Sequence, residues 1–119
     1  MSFDLVPHGA KITDRSKCIN FSGWDWRPLV FYSWMLMPRN VVPPAWHSNS
    51  GEGISQGMAK QLADLIDAEI ASGRASEFAC VYNRTCNAAE GGPSLYPFDL
   101  GNLQRFSAFC RTSGGFTIE

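Results

Sequence analysis

The residues best suited to chemistry lie in the stretch WHSNSGEGIS, residues 46–55. His47 and Glu52 are types that serve in general acid–base or metal sites, and the serines between them could act as nucleophiles. The stretch lacks the G-x-S-x-G elbow and the H-E-x-x-H pair that give such residues a structural context. Asp64 and Asp67, three residues apart on one face of a helix, more simply form a solvated face. We therefore expect no catalytic residue.

The small residues of this stretch have a second interpretation, because they precede a helix. Backbone N–H groups at a helix N-terminus can bind phosphate or carboxylate. Glu52 would bring a negative charge to the same place, and the glycine-rich and lysine signatures of nucleotide-binding loops are absent. The serines and glycines are also what a long loop needs in order to turn into a helix. Trp46 and His47 are not explained by helix entry.

A zinc site would draw on the four cysteines, Cys18, Cys80, Cys86 and Cys110, with a histidine. Structural zinc sites have two cysteines separated by two to four residues. Here the closest pair, Cys80 and Cys86, has five residues between its members, so we expect neither a metal nor a cofactor. The N-terminus carries no signal-type apolar stretch, which favours a cytoplasmic protein with reduced thiols.

Tryptophan and arginine suggest a different chemistry, that of protein contact. Trp24 and Arg27 lie in the sequence WDWR, and Trp46 lies in a proline-rich loop. Exposed Trp and Arg are typical anchors of protein interfaces. The alternative is that both indoles cover a small core. Trp34, in contrast, is expected in the core. The predicted binding residues are Trp24, Arg27, Trp46, His47, Asn49 and Glu52.

Three helices are predicted to position these residues, at about 25–37, 55–72 and 99–113. Ser22, Ser55 and Asp99 are suitable N-caps, and Gly73 supplies the left-handed residue that ends many helices. The first helix is apolar nearly all round, which predicts a central helix covered on several sides.

The remaining segments are less regular. AKITDR, KCINF and the C-terminal FTIE are possible short strands, and residues 37–53 predict a loop. Residues 78–82 fit a strand or the end of a helical turn, and residues 83–97 predict a surface loop. The fold class is therefore α+β, mainly helical.

Size and charge limit the classes of function. The chain has 119 residues, 45% of them hydrophobic, which fits a single domain over 1–119. Ten Lys and Arg against eleven Asp and Glu give a net charge of −1 without a basic run, which disfavours nucleic acid. The longest apolar-rich run is much shorter than the ~20 residues of a membrane helix, so no membrane partner is expected.

Two stretches resemble a pattern found in small uncharacterised bacterial proteins. The first is WHSNSGEGISQGMAKQLADLIDAEI, with a Trp, an N-D/S-G loop and an A-x-x-LA-x-x-L helix; the second is LQRFSAFCRTSGGFTIE, similar to an F-x-x-FCR-x-GGF-x-I ending. Ser50 stands where that pattern has Asp. The resemblance implies a common fold and a bacterial or phage-like cytoplasmic origin, and it assigns no activity.

We expect a small non-enzymatic binding or inhibitor protein, of immunity type, that acts by covering another protein. We expect the protein itself to be a monomer or a small homo-oligomer. The alternative is a small-ligand-binding or hydrolase-type enzyme domain with its site around the 46–55 loop.

Overall fold

The chain is an α+β protein, and its computed structural model describes residues 2–38, 41–42, 44–48, 50–91 and 97–119. Within these ranges lie four strands and four α-helices, in the order β1 (Ser2–Pro7), β2 (Ile19–Ser22), α1 (Gly23–Leu36), β3 (Gly53–Ser55), α2 (Gln56–Ser72), α3 (Arg74–Glu90), α4 (Leu100–Thr112) and β4 (Gly115–Ile118). A short 3-10 helix, Pro44–His47, lies between α1 and β3. None of these helices combines the length and apolar character needed to cross a bilayer.

The four strands form one antiparallel sheet in the order β2-β1-β4-β3. The register pairs apolar residues with apolar residues, as in Phe3 with Phe21 and Ile54 with Phe116. Paired residues lie on the same face of a sheet, so one face becomes apolar and packs against the helices. Gly53 is required in β3 because a Cβ there would collide with the carbonyl oxygen of Phe116.

The helix ends confirm the predicted caps. The Ser22, Ser55 and Asp99 side chains each accept a hydrogen bond from the backbone N–H three residues later. Gly73 has a φ of 83° and ends α2. The predicted helices 25–37, 55–72 and 99–113 correspond to α1, α2 and α4 within two residues at each end, and FTIE contributes to β4.

The described ranges contain four α-helices, one more than the three that were predicted. Residues 74–90 form α3, where we expected an apolar centre followed by a loop. Phe78 and Tyr82 lie one helical turn apart and pack on each other and on Phe98, with ring centroids 5.1–6.1 Å apart. The Asn83 amide donates to the Phe98 carbonyl and accepts from its N–H. These long-range contacts stabilise a segment whose own helix propensity is weak.

The N-terminal segment also differs from the prediction. β1 begins at Ser2, ahead of the region in which we expected strands, whereas residues 10–15 form turns. The expected strand around KCINF is β2, which begins at Ile19. The predicted loop 37–53 contains the 3-10 helix, and residues 92–96 of the predicted loop 83–97 lie outside the described ranges.

The core lies between the sheet and the helices. α1 buries Trp26, Leu29 and Val30, and α4 buries Leu103, Phe106 and Cys110. α2 contributes alanines as well as larger side chains, which lets α4 approach closely enough for the Ser107 hydroxyl to bond the Ala63 carbonyl. The buried helix faces are therefore decided by contact with the sheet and with one another.

Candidate functional site

Trp46 is buried, so of the two interpretations of its ring the structure has the one in which it covers the core. Its exposed fraction is 0%, and the ring stacks on Trp26 and contacts Phe116, with centroids 6.1 and 5.8 Å away. The Trp26 indole Nε1–H also donates to the Trp46 carbonyl at 2.7 Å. The reason is that the 3-10 helix folds over α1 and brings the ring into the core between α1 and β4. Trp46 therefore holds the loop to the protein and offers no ring to a partner.

The indole Nε1 of Trp46 is buried and has no hydrogen-bond acceptor among the described residues. A buried donor left unpaired costs roughly 1–3 kcal/mol. The two stacked tryptophans therefore differ: the N–H of Trp26 is satisfied by the backbone of Trp46, while that of Trp46 is not satisfied by the described part of the chain.

His47 and Glu52 do not form an acid–base site in the described part of the chain. His47 is exposed, and neither a hydrogen bond nor an ion pair joins it to a described acid. Partial burial, and then the nearby charge of Arg27, lower the pKa of its imidazole. Asn49 lies outside the described residues. The structure thus brings together two of the predicted binding residues, His47 and Arg27.

Glu52 takes part in the sheet through its backbone. Its carbonyl accepts from the Ile118 N–H at 2.7 Å, and the Gly51 N–H donates to the Ile118 carbonyl at 2.9 Å. The glycine-rich end of the loop therefore extends the pairing of β3 with β4. Its Gly51 N–H is used in this way, so it does not contribute to the anion site considered from the sequence.

Asp64 and Asp67 are joined to α4. Arg111 contacts both carboxylates, at 2.9 and 2.7 Å, and the Ser107 hydroxyl donates to Asp67 at 2.6 Å. The hydrogen bond from Ser107, and then the contact with Arg111, lower the pKa of Asp67. Asp67 is thereby held ionised. Both carboxylates are exposed, Asp64 by 69% and Asp67 by 50%, so they form the predicted solvated face and also link α2 to α4 through Arg111.

The four cysteines are distant in sequence and differ in exposure to solvent. All four are described and none is paired. Cys80 is exposed, whereas Cys110 is buried in the core, and burial strongly raises the pKa of its thiol. Among the described residues, no group of three or more His, Cys, Asp or Glu side chains is placed to hold a metal ion.

The outward face of α1 is unusually apolar. Trp24, Phe31, Trp34 and Met35 are 50%, 39%, 59% and 42% exposed. Trp34 therefore lies at the surface, and our expectation that it belongs to the core was wrong. At 100° per residue, these positions and Arg27 fall on one side of the helix, opposite the side that carries Leu29 and Ser33. The core side of α1 is already filled by Trp26 and its neighbours.

Helix α3 extends this apolar face. Val81 of α3 is 47% exposed. Phe31 stacks on Trp34 at 6.3 Å and contacts Phe78 and Tyr82 at 6.4 and 6.1 Å, so the two helices meet through aromatic rings. We name the exposed residues of this region the aromatic surface: Trp24, Arg27, Phe31, Trp34, Met35 and Val81.

A shallow groove borders the aromatic surface where the end of α1 approaches the start of α3. It has a volume of about 410 Å³, and its floor is formed by Tyr32, Leu36 and Phe78. At its rim, Arg74 pairs with Glu69 at 2.8 Å. The groove is wide enough for a side chain of a partner that rests on the aromatic surface.

Four residues of the aromatic surface are not among the predicted binding residues: Phe31, Trp34, Met35 and Val81. A signal was present in α1. Arg27 cannot be buried without an acceptor, so it marks the outward direction, and Phe31 and Trp34 follow it by four and seven residues on the same side. For Val81 there was no such signal, because α3 itself was not predicted.

The aromatic surface is suited to contact with another macromolecule. Trp and Arg are enriched among the residues that contribute most to protein–protein binding. Large contiguous apolar patches on a protein surface mark interaction sites. No protein-family model, curated protein or solved structure matches the chain.

Proposed function

We propose that the protein is a small non-enzymatic binding protein of the bacterial cytoplasm, an inhibitor or immunity-type protein that covers another protein with its aromatic surface. The observation that carries the proposal is the concentration of exposed apolar side chains. Seven large hydrophobic residues are exposed in the described ranges, and five of them belong to this one surface: Trp24, Phe31, Trp34, Met35 and Val81. Exposed apolar residues scattered singly would carry no such meaning.

The packing of the rings within and beneath the surface supports the same proposal. Phe31 is held between Trp34 on its own helix and Tyr82 on α3. Beneath it, Tyr32 and Phe98 are buried and in contact. Side chains that are already ordered lose less conformational entropy on binding, so more of the contact energy appears as affinity. This favours an anchor for a partner over a loose apolar patch.

The chemistry of the surface indicates what the partner offers. Its centre is aromatic, and Arg27 is the one charged member. A complementary protein surface has an apolar recess for Trp34, with a carboxylate or an aromatic ring placed to meet the guanidinium of Arg27.

The proposal is tested with matched charge insertions. The chain is used as bait in a lysate of its host, the captured protein is identified and purified, and its affinity for each variant is measured. Trp34→Glu should weaken binding by ~30-fold or more, as expected for an interface anchor. Met58→Glu is the control, because Met58 is 37% exposed but lies on α2, outside the aromatic surface. Equal affinities of Trp34→Glu and Met58→Glu would contradict the proposal.

Variants of the loop distinguish this surface from the site suggested by the sequence. His47→Ala and Glu52→Gln should leave the affinity within about threefold of wild type, since rim or distant residues contribute little. A large loss from these two changes, with Trp34→Glu unaffected, would place the binding site at the 46–55 loop.

A further inference from the structure

We infer that, when no other partner is bound, a second copy of this chain covers the aromatic surface, with the two α1 helices antiparallel about a two-fold axis near Phe31. This goes beyond the proposed function, because it concerns the chain in isolation. The inference depends on three properties of α1: the area it exposes, the placement of its one exposed charge, and the absence of an exposed carboxylate from that face.

The exposed area fits a weak dimer. A Trp or Phe side chain buries ~150–250 Å² when fully covered. At the exposed fractions of Trp24, Phe31 and Trp34, this corresponds to roughly 300 Å² of aromatic area per copy. Met35, Val81 and the surrounding rim add to it, which gives an interface at the low end of the specific range, about 600 Å² per partner. Such an area predicts a reversible dimer that a tighter partner can displace.

The position of Arg27 selects the antiparallel arrangement. Helical rise is ~1.5 Å per residue, so Arg27 lies about 6 Å to one side of Phe31, and Trp34 and Met35 lie about 5–6 Å to the other. In an antiparallel pair about Phe31, each Arg27 therefore faces Trp34 of the partner subunit, which allows a cation–π contact. A parallel pair would instead place the two arginines against each other, which is unfavourable.

Helix α1 presents no exposed carboxylate on this face; the exposed Glu77 belongs to α3, one helical turn before Val81, where both residues line the groove. Asp25, the one acidic residue of α1, accepts a hydrogen bond from the Ser22 hydroxyl at 3.1 Å and is only partly exposed. Its position is 100° around the helix from Trp24, away from Arg27. Two copies of the face thus bring together apolar rings and two separated cations, each with an aromatic ring available to it.

Sedimentation and light scattering of the purified full chain test this directly. Over about 1–200 µM, wild type should shift from the monomer mass of 13.1 kDa towards twice that value. Trp34→Lys should remain monomeric over the same range, because it removes the ring that Arg27 of the partner subunit meets and puts a second cation in its place. Met58→Lys, which adds the same charge elsewhere, should dimerise as wild type does. A wild type that stays monomeric throughout, or a Trp34→Lys that dimerises normally, overturns the inference.

Arg27→Gln tests the relative orientation of the two helices. In the antiparallel pair it removes two cation–π contacts and should weaken the dimer about tenfold. In a parallel pair it would relieve the repulsion between the arginines and strengthen the dimer. Unchanged or tighter association of Arg27→Gln therefore overturns the antiparallel arrangement. Thermal unfolding of each variant confirms that it is folded.

The two proposals fail separately. A monomeric wild type that still binds a captured protein through Trp34 would remove only the homodimer. A wild type that dimerises through Trp34, while the captured protein binds Trp34→Glu as well as wild type, would remove only the proposed function.

Discussion

The protein contains two aromatic clusters that use the same residue types with opposite results. The core cluster comprises Phe3, Phe21, Trp26, Trp46, Phe106 and Phe116, each at most 2% exposed. The outer cluster comprises Phe31, Tyr32, Trp34, Phe78, Tyr82 and Phe98, and it includes exposed and buried rings. Ring centroids in both are about 5–6 Å apart, so ring contacts do not distinguish the clusters.

The difference lies in the layers around each cluster. The core cluster is enclosed by the sheet, α4 and the 3-10 helix, whereas the outer cluster lies between α1 and α3, where Phe31 and Trp34 remain exposed. Helix α1 belongs to both, through Trp26 on one side and Phe31 on the other. An aromatic residue in this chain therefore stabilises the fold or offers a surface according to its side of α1.

The largest expected contrast is between Trp46→Ala and Trp34→Ala. Removing the fully buried Trp46 ring should lower the free energy of unfolding by about 3–5 kcal/mol, because it leaves a cavity in the core. Trp34→Ala should lower it by about 1 kcal/mol or less, since the ring is 59% exposed. Urea unfolding at low micromolar concentration measures both. A small loss for Trp46→Ala would mean that its ring lies at the surface after all.

Within the core cluster, Trp26→Phe should cost more than Trp46→Phe. The first change removes the buried hydrogen bond from the Trp26 indole to the Trp46 carbonyl, a cost of about 1–3 kcal/mol in addition to the lost volume. The second removes an N–H that has no acceptor among the described residues. Equal costs in urea unfolding would show that the Trp46 indole has an acceptor.

Alkaline pH should act on the outer cluster through Tyr32. Burial, with a contribution from the charge of Glu69, raises the pKa of Tyr32 to about 12. The unfolded chain loses this proton near pH 10, while the folded chain retains it up to about 12, so stability falls across that interval. Tyr32→Phe should therefore flatten the decline in the free energy of unfolding in that interval. An unchanged slope would contradict the assigned pKa.

The smallest expected effect is a change in the pKa of His47, which lies in the 3-10 helix next to Trp46. Burial, and then the charge of Arg27, lower the pKa of His47 in the folded chain. The stability that follows from this shift is complete above the ordinary pKa of histidine and is lost as the pH falls through the lowered pKa. Arg27→Gln should raise the pKa of His47 in an NMR titration. The comparison is made in the Trp34→Lys background, which keeps the chain monomeric. A pKa that stays unchanged would show that Arg27 does not act on His47.

The sequence predicted the parts of the fold that depend on local hydrogen bonds. Ser22, Ser55 and Asp99 cap helices through atoms three residues away, and Gly73 ends a helix by its own backbone conformation. It did not predict α3, because the contacts that stabilise it, such as those between Asn83 and Phe98, span fifteen residues. Of the predicted binding residues, Trp24 and Arg27 lie on the aromatic surface.

The sequence by itself determined the α+β class, three of the helices, their caps and the C-terminal strand, since these follow from short-range geometry and side-chain type. Only the tertiary structure decided which tryptophans are buried. Helix α1 is apolar on nearly every side, and Arg27, which marks its outward direction, does not by itself decide which of the other sides meets the sheet. The 3-10 helix supplies that choice by stacking Trp46 on Trp26, with Phe116 of β4 against Trp46, and Trp34 is left at the surface as a consequence.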